Sequence, residues 1–504
     1  MAASLVDLLL ASAGRDAGKV ALRRRQATWT YGELVRGAAA TAVRLREAGL
    51  EPGDCVALLF RNCPEYVALF YGALSARLAV APLNVQERAS VLAVQVAHSG
   101  ARLIVGDPDH PEWAALKAAL PAEVVTLEIT AVDDDASVAR FMQAAGAAPG
   151  QVLPSPSVAR DDMAVLLYTS GTTGRPKGVM LSHGNLVANN VTIIDYLQLG
   201  PGDTGLTVMP FHFSYGNSVL HTHLGASATL LLEDNLAYPL VVMQRLQNEK
   251  VTGFSGVPST FAILKARTRI EDFDLSSMRY LTQAGGAMTR AAIQRMRQLV
   301  PSARFFVMYG QTEATARLTY LPPERLDEKL GSIGKALAGI EIEVRGPSGE
   351  VLPPGQTGEL CARGPNIMLG YWRDEEATRE AVVDGWLHTG DLAHTDEDGF
   401  LYIDGRVVEM IKVGSFRVNP LEVEEVLATL PGIVEMAVAS MPDELLGQAV
   451  KAVLVLHDGA SLDERQVKAH CRARLAAYKV PKIVEFAREL PRTSSGKIQR
   501  FKLS

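Results

Sequence analysis

A mixed α/β fold is what the sequence predicts: a large, multi-lobed N-terminal domain with parallel sheets and a β-rich lobe, then a small α+β C-terminal domain. Three observations lead there. At 504 residues the chain exceeds what one ordinary core holds together. Helix and strand signals alternate over the first 150 residues, as when helices cross between parallel strands. After Arg406 the pattern changes to short strands broken by two helices, a compact unit of about a hundred residues. The boundary falls at 404/405, giving domains 1–404 and 405–504.

The elements follow from local signals. Thr30 and Glu33 have capping-box spacing ahead of an Ala-rich helix that should end near Gly49. Residues 55–60 read as a buried strand, Pro64 suits the first position of a second helix, and 102–105 read as another strand. The run 144–160 is rich in Pro, Ser, Gly and Ala, an exposed connection. Residues 345–360 carry turn chemistry at Pro347, Gly349, Pro353, Pro354 and Gly355 and form the β-rich part. In the C-terminal unit, Asn419 and Pro420 open one helix, and a capping box of Ser461 and Glu464 opens the other.

Composition removes several function classes. A net charge of -6 gives no footprint for nucleic acid or an anionic membrane, and Arg23, Arg24 and Arg25 read as a solvated face. Residues 1–10 lack a basic start and are interrupted by Asp7, so they do not read as a signal peptide. No stretch reaches the roughly 18 apolar residues of a spanning helix. The expectation is a cytoplasmic protein whose Cys55, Cys63, Cys361 and Cys471 are reduced and structural, since no pair has metal or redox spacing.

The chemistry concentrates after residue 165. In LLYTSGTTGRPKGVMLSH (166–183) a loop rich in Ser, Thr and Gly with one Lys sits between two strands. Gly171, Gly174 and Gly178 let the backbone aim N–H groups at an anion, and Thr169, Ser170, Thr172 and Thr173 add hydroxyls. Lys177 supplies a point charge. Pro176 stands where the P-loop of kinases requires Gly. Ser170, Gly171, Thr172, Thr173, Gly174, Pro176, Lys177 and Gly178 instead resemble the signature loop of the adenylate-forming superfamily of acyl-CoA synthetases, peptide-synthetase adenylation domains and firefly luciferase. Among these the chain most resembles acyl-CoA synthetases. At roughly 7% usage per position, a chance match at one site is on the order of one in a billion.

The resemblance runs from Thr30 and Tyr31 to Gly496 and Lys497, and it implies roles residue by residue. YGQTEAT (309–315) looks like the adenine and magnesium motif, with Tyr309, Gly310 and Gln311 against the base, Thr312 on the α-phosphate and Glu313 on Mg²⁺. Asp391 in HTGD (388–391) resembles the acceptor for the ribose hydroxyls. AGGA (284–287) resembles the strand end where Gly285, Gly286 and Ala287 line the acyl and adenine pockets. Arg406 looks like the junction arginine that reaches the nucleotide. Lys497 in PRTSSGKIQR (491–500) looks like the catalytic lysine that bridges the acid and the α-phosphate.

The implied activity is ATP-dependent acid–thiol ligation through an acyl-AMP, using Mg²⁺ and coenzyme A, with a C-terminal domain that rotates between half-reactions. Relatives carry Asp or Lys at the hinge where this chain has Val408, and Gly along the thiol tunnel where it has Ser415. Both departures bear on the second step. MPFHFSYG (209–216) resembles the helix at the mouth of the acid pocket. With His212 and Phe213 where α-amino-acid enzymes carry Asp, an apolar acyl or aryl acid is favoured; core packing is the other reading of His212. GVPST (256–260) and Gln283 are expected to line the same pocket. The spacing between Gly370 and Gly390 leaves no room for the insertion typical of fatty-acyl-AMP ligases that avoid coenzyme A. Three alternatives stand beside this reading. One is an adenylating enzyme that loads the phosphopantetheine arm of a separate acyl carrier protein. The second is a nucleotide-binding regulator without turnover, and the third a luciferase-like oxygenase.

Overall fold

The computed structural model describes residues 2–148, 150–155, 157–169, 177–406, 411–413, 416–443, 446–457, 459–492 and 498–503. Ser4 opens the helix Leu5–Arg15 through a capping box with Asp7. Leu5, Val6 and Leu9 are then fully buried, so the apolar run at the start of the chain is a core helix. The box of Thr30 and Glu33 opens Tyr31–Glu47 as expected, and Pro64 is the first residue of Pro64–Ser75, with Cys63 as its cap. These two helices approach closely at Gly72, where a Cβ would lie 2.4 Å from Thr41 Cβ and 2.6 Å from the Ala38 carbonyl oxygen.

Two sheets with parallel centres carry most of the chain. One runs in the order Lys335–Ala336, Thr319–Leu321, Arg304–Tyr309, Tyr280–Gln283, Gly253–Gly256, Thr204–Thr207, Thr229–Leu232, Val20–Arg24, Ala27–Thr30. It is parallel from Arg304–Tyr309 through Val20–Arg24. The other runs Gly370–Tyr371, Lys177–Ser182, Met163–Thr169, Ala79–Pro82, Cys55–Leu59, Ala101–Gly106, Val125–Glu128. It is antiparallel at its Gly370–Tyr371 edge and parallel from Met163–Thr169 onward.

The β-rich lobe is antiparallel: Glu341–Arg345, Gly358–Arg363, Trp386–Thr395 and Val382–Val383, with Leu401–Arg406 also on Trp386–Thr395. In the C-terminal part, Phe416–Val418, Ile411–Val413, Gly447–Leu456 and Ile433–Asp443 form a sheet joined by Ile483–Phe486. The helices Pro420–Ala428 and Glu464–Arg472 cover it through Val423, Leu427, Val467 and Cys471.

Two expectations are corrected. The second C-terminal helix is capped by Asp463 with Gln466, two residues after the expected Ser461; starting there puts Val467 and Cys471 one turn apart on the buried face. Arg24 is no part of a solvated face: it is 2% exposed and paired with Asp133 and Asp234. The described residues of the connection 144–160 are largely exposed, as expected, and buried Leu153 and the Ser75 hydroxyl, donating to the Pro154 carbonyl at 2.6 Å, hold it to the fold. The four cysteines are free and buried. No helix among the described residues is long and apolar enough to cross a membrane.

Burial lowers the pKa of His183 to about 4 and of His212 and His221 to about 3, so all three are neutral in the fold. Unfolding restores an ordinary histidine near 6.5, so the unfolded chain binds more protons below that pH. Stability is therefore expected to be level above about pH 6.5 and to fall as pH drops from 6.5 towards 4, by up to about 1.4 kcal/mol per pH unit for each histidine. Urea unfolding from pH 8 to 5 measures this; a flat profile would contradict the burial of neutral histidines.

Candidate active site

Neighbouring parallel strands bring three loops to one edge. Gly256 pairs with Gln283, and Gln283 with Val307, so 256–260, 284–287 and 309–313 leave the carboxyl ends of adjacent strands side by side. Ligands of open α/β sheets bind at such an edge. Gly285 has φ +81°, a left-handed conformation that favours glycine, and the Gln283 side-chain amide donates to the Gly286 carbonyl at 2.6 Å. At Gly310 a Cβ would lie 2.2 Å from the Ala316 carbonyl oxygen, so only glycine lets the chain fold back there.

A short bond links the antiparallel lobe to this edge. The Tyr309 hydroxyl donates to Asp391 Oδ2 at 2.6 Å, and Asp391 is 4% exposed. The turn before Asp391 is held by Glu359, which accepts from the Gly390 N–H at 3.1 Å and pairs with His388 Nδ1 at 2.8 Å. The Thr389 hydroxyl donates to the Leu360 carbonyl, and the Asp391 N–H donates to the Thr389 oxygen. Arg406 lies opposite Asp391 in the strand pairing.

Lys177, Tyr371 and Glu313 form a second group. Thr169 pairs with Lys177 across the strands flanking the Ser/Thr/Gly loop, and the Lys177 ammonium lies 4.7 Å from the Tyr371 ring centre. The Tyr371 hydroxyl donates to Glu313 Oε1 at 2.9 Å. Burial and then the neighbouring Glu313 charge push this hydroxyl well above its ordinary range, so it stays a donor. Thr312 is 3.2 Å, hydroxyl to hydroxyl, from Ser214, the first residue of the helix Ser214–Gly225. A carboxylate beside hydroxyls is a hard-oxygen set of the kind Mg²⁺ accepts.

Behind Glu313 the backbone is constrained. Thr315 has φ +64° and Ala316 +150°, unusual for residues with a Cβ. Their geometry is fixed by the Thr315 hydroxyl donating to the Asn366 carbonyl and the Asn366 amide donating to the Ala314 and Arg317 carbonyls. His212 is buried and neutral, its Nε2 without a hydrogen-bond partner among the described residues, next to Phe213, which precedes the helix. Ser170, Gly171, Thr172, Thr173, Gly174, Pro176, Val408, Ser415 and Lys497 lie outside the described residues, as does the Arg406 side chain. The sequence reading missed Tyr371, Glu359 and Asn366, whose roles come from partners 58, 29 or more and 49 or more residues away.

The family model for AMP-binding enzymes matches residues 9–372, and that for their C-terminal domain matches residues 422–497. The chain belongs to the AMP-binding enzyme family. This family member is 38% identical over 480 residues to a feruloyl-CoA synthase of Amycolatopsis sp., covering 95% of this chain and 94% of that one. It is 33% identical to an indoleacetate–CoA ligase of Aromatoleum aromaticum, covering 97% and 95%. Among solved structures it matches an anthranilate CoA ligase in complex with anthranoyl-AMP, with TM-score 0.92, 27% identity and 99% and 96% coverage. It also matches ATP-bound MatB of Rhodopseudomonas palustris, with TM-score 0.89, 31% identity and 100% and 98% coverage. This AMP-binding enzyme is an acid–thiol ligase of the adenylating type, with ATP and Mg²⁺ as its nucleotide and metal. The thiol compound expected above among the cofactors is, in the ligase relatives, a substrate.

Tyr371→Phe keeps the ring beside Lys177 but removes the bond to Glu313. A hydrogen bond to a charged group contributes about 1.5–3 kcal/mol, so pyrophosphate release should slow by at least about tenfold, with a raised Mg²⁺ requirement. Initial rates across a Mg²⁺ titration measure this; an unchanged requirement would remove Tyr371 from the site.

Proposed function

We propose that this enzyme activates an aromatic or apolar carboxylic acid lacking an α-ammonium group and transfers it to coenzyme A. The observation that carries the reading is the grouping of Lys177 with Tyr371 and Glu313, and of Asp391 with Tyr309, around the carboxyl end of the strand Arg304–Tyr309, next to a segment 209–216 that holds His212 and Phe213 and no Asp or Glu. The names of the relatives support an aromatic acid, since feruloyl, indoleacetate and anthranilate are aryl acids.

In this reading the Ser170–Gly174 loop and Lys177 hold the β- and γ-phosphates. Asp391 accepts the ribose hydroxyls while Tyr309, Gly310 and Gln311 flank the adenine. Thr312 binds the α-phosphate, and Gly285, Gly286 and Ala287 leave room for both ligands. Mg²⁺ held by Glu313 would neutralise phosphate charge. Lys497 aligns the acid with the α-phosphate, and Arg406 approaches the nucleotide from the junction. A carboxylate oxygen attacks the α-phosphorus as the bond to pyrophosphate breaks, and pyrophosphate leaves with that electron pair. A thiolate then attacks the acyl carbon and AMP leaves. The neutral His212 contributes a ring nitrogen to the acid pocket. Domains 1–404 and 405–504 exchange half-reactions by rotation about the junction, with Val408 and Ser415 bearing on the second step. Consumption of ATP and coenzyme A suits a cytoplasmic setting.

Pyrophosphate release across aryl, aliphatic and amino acids, with and without coenzyme A and with mass analysis of the product, tests this. Release with aryl acids that coenzyme A accelerates, yielding an acyl-CoA, is expected. Release indifferent to coenzyme A but coupled to a holo carrier protein would replace the acceptor, and no release would overturn the reading. Lys497→Ala should cut pyrophosphate release by about 100-fold or more while sparing thioester formation from supplied acyl-AMP; equal loss of both would remove the role.

A further inference from the structure

Arg317 is a buried charge that the catalytic reading leaves unused. It is 3% exposed and follows the strained residues Thr315 and Ala316 that end the Glu313 turn. Its backbone is fixed from two sides, since its carbonyl accepts from the side-chain amides of Asn189 at 3.0 Å and Asn366 at 2.8 Å.

The guanidinium has poor company for a permanent cation. Nε donates to Met308 Sδ at 3.3 Å and Nη1 to the carbonyl of the adjacent Ala316 at 3.1 Å. Its carbon lies 4.2 Å from the Tyr215 ring centre, and the Tyr196 hydroxyl, itself donating to Met308 Sδ, is also adjacent. Among the described residues no carboxylate pairs with it. Arg24, equally buried, shows how this fold treats such a charge elsewhere: Asp133 and Asp234 both pair with it. Arginine does not deprotonate to escape burial, and a buried charge without a counterion is costly.

The place of Arg317 says what the missing partner is. Tyr215, on which it rests, is the second residue of the helix Ser214–Gly225; Ser214 contacts Thr312, and the Tyr215 hydroxyl donates to Thr282, two residues before Ala284. The ring is thus part of the wall between the Thr312 turn and the 284–287 strand end, the acid pocket of the proposed function.

We propose that Arg317 is a specificity residue that receives a second acidic group, a carboxylate, at the far end of the substrate acid. The inference rests on the proposed ligase activity and narrows its substrate class. A guanidinium presents paired N–H donors that match a carboxylate. A site built to hydrogen-bond a substrate group discriminates strongly against the analogue that lacks it.

The test is pyrophosphate release with matched pairs of acids, aryl and aliphatic, each pair a monoacid and the same skeleton carrying a distal carboxylate. Wild type should favour the diacid member of at least one pair by about 30-fold or more in kcat/KM. Arg317→Met should abolish that preference mainly through the KM of the diacid while leaving kcat with the monoacid near wild type, and Arg317→Lys should restore part of it. A wild-type preference for the monoacid in every pair would overturn the proposal without any variant, as would equal losses on both members in Arg317→Met. Release with monoacids alone refutes only the Arg317 role, whereas release with neither member refutes the ligase reading beneath it.

Discussion

The Tyr309–Asp391 hydrogen bond joins two parts of the molecule that fold on different principles. Tyr309 ends the last parallel strand of the nine-stranded sheet, beside the antiparallel Thr319–Leu321, and Asp391 lies in an antiparallel lobe. In the proposed reading, neither sheet alone forms the nucleotide site. The bond also fixes the Asp391 carboxylate, which is 4% exposed and carried on a turn that Glu359 and Thr389 hold in turn. A carboxylate oriented before the ligand arrives spends less binding energy on ordering itself.

The same logic explains the crowded backbone after Glu313. Gly310 allows the chain to double back on Ala316, and Thr315 and Ala316 accept positive φ because Asn366 and Asn189 hold the carbonyls around them. Strain of this kind persists only where the surroundings over-determine it. Here it presents Glu313 to Tyr371 on one side and carries Arg317 to Tyr215 on the other. In the proposed reading, one tight turn therefore serves the phosphate end and the acid end of the site together.

What the sequence made legible was whatever a short contiguous motif encodes. The helix starts at Thr30, at Pro64, and at Asn419 with Pro420 stand where local chemistry puts them, and the Tyr309–Glu313 and His388–Asp391 segments could be singled out from adjacent residues. Partners distant along the chain were not legible. Tyr371 looks like any aromatic until strand Gly370–Tyr371 pairs with Lys177–Ser182 and sets it between Lys177 and Glu313. Arg24 sits in a run of three arginines that reads as surface, and only the fold brings Asp133 and Asp234 to it. The cap of Glu464–Arg472 shifted because Ser461 and Asp463 both satisfy the local rule, and burial of Val467 and Cys471 chooses between them.

AMP affinity in a double-mutant cycle of Tyr309→Phe and Asp391→Ala, measured by calorimetry, tests the central bond most directly. Asp391→Ala should weaken binding by about 10- to 100-fold, the worth of hydrogen bonds to a charged group, and Tyr309→Phe by less. The double variant should lose less than the sum, with a coupling of about 1 kcal/mol or more. Additive losses would show that the two side chains act independently, and AMP affinity within twofold of wild type in Asp391→Ala would contradict this account of the nucleotide site.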